Sequence, residues 1–195
     1  MSTSLSSSRS CGASSRRFAG DPGMRFDTLL AADARYSLAL RIPPEARWRR
    51  RLAATFAHSG DSWFWLLGLG WVWVSGMPGA RSWALAVAAA IGLLAVAVLA
   101  VKRVVRRARP EGEWGRIYRA TDPHSFPSGH AARAFLLAVL VTGWGPSGLA
   151  PMLWMWAPLV GLARVALGVH FLSDIVAGAA LGLLGGMVAV LAYPG

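Results

Sequence analysis

Cysteine is all but missing. Cys11 is the one cysteine in 195 residues, so no internal disulfide forms and the redox compartment leaves no trace. Lysine is equally scarce: of twenty basic residues only Lys102 is a lysine. Acidic residues number nine, which leaves a net charge of +11. A charge of that sign suits an anionic partner. The cations sit beside apolar runs, so a membrane surface and a phosphate fit them and nucleic acid does not. No cluster of His, Cys, Asp or Glu has metal-ligand spacing, and neither a metal nor an organic cofactor is expected. The N-terminus has arginines but no apolar h-region behind them, so no secretory signal is expected there. No apolar segment precedes Cys11, so a lipoprotein signal is not expected either. Met24 is a second candidate start.

What is abundant is apolar: 55% of residues, too many for an ordinary soluble domain and usual for a small bundle of membrane helices. Residues 1–23, rich in Ser, Gly and Arg, read as a disordered tail. Residues 24–60 read as an interfacial amphipathic segment. Leu29, Leu30, Ala34, Tyr36 and Leu38 suggest one helix, Pro43-Pro44 breaks it, and Glu45 to His58 suggests a second with Trp48, Leu52 and Phe56 on one side. Residues 61–195 read as an all-α integral membrane bundle of about five transmembrane helices. The spans run about Ser62–Met77, Trp83–Val101, His130–Trp144, Leu149–Val169 and Phe171–Tyr193. Gly178, Gly182, Gly185 and Gly186 are expected packing positions in the last.

Three polar stretches interrupt this pattern. Pro127-Ser128-Gly129-His130 stands where a loop ends and an apolar run begins, so Ser128 and Gly129 are expected in the first exposed turn of a helix. Free N–H groups there favour an anion, and Gly129 lets a phosphate oxygen approach the backbone. Lys102 and Arg109 follow the second span, and Arg164 ends the fourth: three cations able to surround a phosphoryl group. His170 and Asp174 are four residues apart, which on a helix puts a carboxylate beside an imidazole and fixes its tautomer. Counting spans brings all three stretches to one membrane face. His58 is assigned to the interface and His124 to a loop without a fixed role. Glu111, Glu113 and Asp122 are acidic neighbours that set selectivity or solvate the loop.

Lys102-x6-Arg109-Pro110, Pro127-Ser128-Gly129-His130 and Arg164-x5-His170-x3-Asp174 together resemble the three-part signature of the type 2 phosphatidic acid phosphatase superfamily. The one departure is Ala163, where the family pattern often has serine. The resemblance implies a membrane phosphatase acting on a lipid phosphomonoester or pyrophosphate. It implies a phosphohistidine on His170, with Asp174 as its orienter and His130 as acid and base. The implied partners are a lipid phosphate and the membrane. Phosphatidate, phosphatidylglycerol phosphate and polyprenyl phosphates all stay open as substrates, as do two other activities: lipid phosphotransfer, and lipid-phosphate binding or transport without catalysis. Arginines before the first span and after the second share a face, which the positive-inside rule makes cytoplasmic, in a bacterial plasma membrane.

Overall fold

The structure is a computed structural model that describes residues 22–76, 79–112 and 122–193. The expected tail up to Asp21, Pro78, Glu113, Arg116 and Arg119 lie outside the described residues. Seven α-helices are present among the described residues: α1 Pro22–Ala39, α2 Arg47–Ser59, α3 Ser62–Val74, α4 Ala80–Val105, α5 Gly129–Trp144, α6 Ala150–Ala166 and α7 Leu172–Ala192. Among the described residues there is no strand beyond an isolated bridge between Ala108 and His124. The boundaries follow the local chemistry. Pro22 opens α1, Pro43-Pro44 separates α1 from α2, Arg106 closes α4 in the left-handed conformation (φ 49°), and Gly168 (φ 73°) turns the chain out of α6.

α5 is the hub. It packs on α7, α6 and α4, with Ala131, Ala134, Leu136, Ala138 and Leu140 buried. The expected glycine seam is seen on α7. A Cβ at Gly178 would stand 2.4 Å from the Ser128 carbonyl oxygen, and one at Gly182 would stand 2.1 Å from that of Ala132. Only glycine lets the two backbones approach this closely. Gly185 makes only ordinary contacts.

The outer surface stays apolar. Leu93, Val96, Leu184, Val188 and Leu191 are exposed on α4 and α7, as suits a bilayer. Both helices are long and apolar enough to cross a membrane, by length and composition. α3, α5 and α6 are apolar but have 13, 16 and 17 residues. The first is only about 20 Å long at the α-helical rise.

α1 turns its apolar side outward. Leu29, Leu30, Tyr36 and Leu38 face outward, while Ser37 is buried and Asp33 is largely covered. The polar side turns inward because it meets polar groups there: Arg107 and the first N–H groups of α7.

Candidate active site

One face of α4 leads to the site. Ile91, Leu94, Ala95, Val98 and Leu99 recur at helical spacing, and Lys102 continues the row. They wall a cavity of about 340 Å³ whose polar lining includes Arg109, Gly129, His130, Arg164 and His170. All three polar stretches of the sequence therefore meet in one place.

Lys102 and Arg109 are buried, and they share one carboxylate. Lys102 Nζ donates to Asp122 Oδ2 at 2.5 Å and to the His124 carbonyl at 2.9 Å. Arg109 Nη2 donates to the same Oδ2 at 2.7 Å, and Nε to the Asp122 carbonyl at 2.7 Å. Burial alone would raise the Asp122 carboxyl. The hydrogen bond and charge of Lys102, with the charge of Arg109, hold it below the ordinary carboxylate value. Asp122 thus stands between the two cations as a phosphate oxygen would. His124 takes part through its carbonyl.

His170 lies in the linker before α7, not on a helix face as expected. The Gly168 turn and the extended Phe171 (ψ 162°) keep it outside. Asp174 reaches back from the first turn of α7: its Oδ2 accepts from Phe171 N at 2.9 Å and lies 3.4 Å from His170 Nδ1. Arg109 Nη1 lies 3.3 Å from His170 Nε2. A guanidinium only donates, so Nε2 accepts and the ring proton sits on Nδ1, facing Asp174. Burial, then the charges of Arg164, Arg109 and Lys102, hold His170 well below the ordinary histidine value. The result is a neutral imidazole with its lone pair on Nε2.

Asp174 has a second support. Arg107 Nη1 donates to its Oδ1 at 2.8 Å, while Arg107 Nη2 donates to Asp33 Oδ2 at 2.7 Å and the guanidinium lies 4.0 Å over the Phe171 ring. α1 completes this corner. Ser37 Oγ accepts from Leu172 N at 2.9 Å and Asp33 Oδ1 from Ser173 N at 3.1 Å, so side chains of one helix cap the free N–H groups of another.

Ser128 is buried and not in an exposed turn. It is the N-cap of α5: its Oγ accepts from Ala131 N at 3.4 Å and its N–H donates to the Asp174 carbonyl at 3.0 Å. It does not line the cavity, whereas Gly129 does. The physical reason is the α7 glycine seam, which draws Gly178 against Ser128. His130 Nε2 lies 2.7 Å from Asp61 Oδ1, and Asp61 Oδ2 lies 3.1 Å from His58 Nδ1. His58 therefore belongs to the site's surroundings, not to the interface alone. Arg133, one turn past His130, adds a cation to the cavity wall. The sequence reading missed Asp61, Arg107 and Arg133: Asp61 lies in no motif, and Arg107 and Arg133 lie within or beside motifs at positions those motifs leave open.

A sequence model of the PAP2 superfamily matches residues 82–195. The chain belongs to the PAP2 superfamily. Its curated relatives include "Decaprenylphosphoryl-5-phosphoribose phosphatase" of Mycobacterium tuberculosis, 38% identical over 109 residues, 55% of this chain and 59% of that protein. The protein of the same name from Mycolicibacterium smegmatis is 41% identical over 100 residues, 50% of this chain and 53% of that one. The matches thus span little more than half of these relatives' length. Among solved structures, the transmembrane PAP2 type phosphatidylglycerolphosphate phosphatase of Bacillus subtilis superposes with a TM-score of 0.69 at 24% identity, covering 86% of this chain and 87% of that one. Aquifex aeolicus LpxE does so with a TM-score of 0.63 at 25% identity, covering 82% and 93%. This is a membrane PAP2 fold. In it the departure from the PAP2 pattern at Ala163 has a packing counterpart: that side chain is buried in one apolar cluster with Ala53 and Ala57 of α2.

Proposed function

We propose that this chain is a multi-pass membrane phosphatase that removes the terminal phosphate of a lipid phosphomonoester or diphosphate through a phosphohistidine on His170. The observation that carries this reading is the joining of an apolar α4 row to a set of cations around a neutral His170 whose Nε2 bears the lone pair. A lipid chain lies along the row and its phosphate takes the place of the Asp122 carboxylate. Lys102, Arg109 and Arg164 hold the equatorial oxygens, with the N-terminus of α5 at Gly129. Nε2 of His170 attacks phosphorus, the bond to the lipid oxygen breaks, and His130 gives that oxygen its proton. Water then attacks the phosphohistidine, His130 takes its proton, and phosphate leaves. A pure binder needs the cations but not a tautomer-fixed histidine among them. The mycobacterial relatives favour a polyprenyl-phosphoryl sugar phosphate as substrate.

In this reading α3, α5 and α6 join α4 and α7 as spans, α1 and α2 lie in the interface, and Arg47, Arg49, Arg50 and Arg51 place the site in the cytoplasm. A phosphatase reporter fused after Gly195 is then active and a fluorescent one dark. The test of function is phosphate release by detergent-purified protein from a panel of lipid phosphates in EDTA. Release from a polyprenyl-phosphoryl sugar phosphate is expected. No release from any lipid phosphate overturns the reading.

A further inference from the structure

The end of α2 and the turn into α3, residues 58–61, precede the segment that the family model matches, yet they are fastened to the helices of the site at successive residues. Trp65 Nε1 donates to the Ser59 carbonyl at 2.9 Å and Trp156 Nε1 to Ser59 Oγ at 2.8 Å. Arg133 donates to the Gly60 carbonyl. Gly60 is buried, and a Cβ there would meet Val160 Cγ1 at 2.9 Å, so the turn reaches α6 because that residue is glycine. The next residue is Asp61. It is the N-cap of α3, but its side chain makes no cap bond. Both carboxylate oxygens go to imidazoles instead: Oδ1 to His130 Nε2 at 2.7 Å and Oδ2 to His58 Nδ1 at 3.1 Å. Burial alone would raise this carboxyl, but the bonds to His130 and His58 outweigh it and hold it below the usual carboxylate range.

We infer that Asp61 is the positioning residue of the proton-transferring histidine: its carboxylate holds His130 Nε2 and leaves Nδ1 to serve the leaving oxygen. The ring's orientation supports this. Of the His130 atoms Cδ2 stands nearest the position of a Gly60 Cβ, at 3.5 Å, so the Nε2–Cδ2 edge faces the turn and the Nδ1 edge faces away from it. The inference rests on the reading that His130 is the acid and base. In the first step the phosphorus–oxygen bond to the lipid breaks as the bond to His170 Nε2 forms. The oxygen keeps the electron pair and takes the proton from His130 Nδ1. In the second step water bonds to phosphorus, the phosphorus–nitrogen bond breaks, and the water proton goes to Nδ1. Asp61 stays a carboxylate throughout. It favours the imidazolium before the first step and after the second, and it fixes the ring for both. The other charged or titratable groups facing His130 are Arg133 on its own helix, Arg164 on α6 and His170 in the linker, while His58 at the end of α2 holds the far oxygen of Asp61. Asp61 is the carboxylate paired with His130.

The test compares wild type with Asp61→Asn, which keeps the shape and removes the charge. With a lipid phosphate, a poor leaving group, kcat is expected to fall about 10- to 100-fold with KM within twofold. The limb of the pH–rate profile on which the acid loses its proton should move to lower pH. The single-turnover burst of nitrophenol from p-nitrophenyl phosphate needs no acid and should fall less than threefold. His58→Gln, which leaves Asp61 in place, should show the same leaving-group pattern at about 2- to 5-fold, and it serves if the Asn variant does not fold. Equal losses on both substrates with an unmoved limb, or full kcat in the variants, overturn the inference. A separate arm guards the underlying reading: His130→Gln without leaving-group dependence removes the acid role itself, whatever Asp61 does.

Discussion

Two histidine–carboxylate pairs face one cavity, and they are built in opposite ways. His170 and Asp174 are four residues apart, and their side chains are essentially shut off from solvent, at 1% and 0% exposure. His130 and Asp61 are 69 residues apart, and their side chains keep 18% and 21% of their exposure. Burial, and then the charges of Arg164, Arg109 and Lys102 around it, keep the imidazole of the dry pair neutral. The partly wetted pair lies toward the α2–α3 turn. Each suits its proposed work. A nucleophile benefits from a neutral ring held away from water. An acid and base must exchange its proton with water once in every cycle.

The strongest way to break this comparison is to remove the nucleophile. His170→Ala is expected to lower kcat by about 10⁴-fold or more and to abolish the phosphoenzyme, because the phosphoryl group then meets no nucleophile at the place of Nε2. Trapping an acid-labile phosphohistidine with labelled substrate, followed by peptide mapping, checks it. Label on His130 would exchange the roles of the two pairs.

The two pairs also differ in how far the sequence discloses them. Lys102, Arg109, Arg164, His130, His170 and Asp174 were legible because each stands in a short motif at or beside the end of an apolar helix, and the antiparallel packing of those helices brings the ends together. The Gly178–Gly182 seam was legible because glycines four apart on an apolar helix have one common use. Asp61 was not, since its partner is chosen by the packing of α2 and α3 on α5 and α6, and no local pattern encodes that contact. The same holds for Arg107 with Asp33, 74 residues away, and for Asp33 with Ser173, 140 residues away. α1 was legible only in part. Its apolar residues marked an amphipathic helix, but no local pattern tells that its polar side, Asp33 and Ser37, meets the first N–H groups of α7 and the Arg107 charge. Ser128 misled because helix capping and anion binding use the same residue type at the same position.

Arg107 sharpens the contrast. It braces only the dry pair, through Asp174, and ties that pair to α1 through Asp33. Arg107→Met leaves the Asp174 carboxylate with one charged partner fewer in a buried place, a change that typically costs about 3–5 kcal/mol. The expected outcome is a lower melting temperature in detergent and a roughly 10-fold lower kcat. The loss should be equal on lipid and aryl phosphates, unlike that of Asp61→Asn. Asp33→Asn should give the same pattern with a smaller loss. A leaving-group dependence in either variant would mean that the two pairs are coupled and do not work separately.

The smallest expected effect is a displacement along the pH axis. His170 attacks only when neutral, so rate is lost as pH falls through its proton affinity in the folded protein. Burial and the charges of Arg164, Arg109 and Lys102 depress that affinity, with His130 adding in the same sense and the Asp174 carboxylate facing Nδ1. A depressed value puts the acid limb of phosphoenzyme formation well below pH 6.5, the ordinary histidine value, and the plateau should extend into mildly acidic solution. Lys102→Met removes one of the depressing charges, so the limb should move up toward pH 6.5 while KM rises through the lost phosphate contact. Asp61→Asn should leave this limb in place and shift only the opposite one, since Asp61 touches His130 and not His170. Single-turnover labelling across pH reads the limb directly. An acid limb at or above pH 6.5 in the wild type would show that the cations around His170 do not keep it neutral, and the difference between the two pairs would then lie in geometry alone.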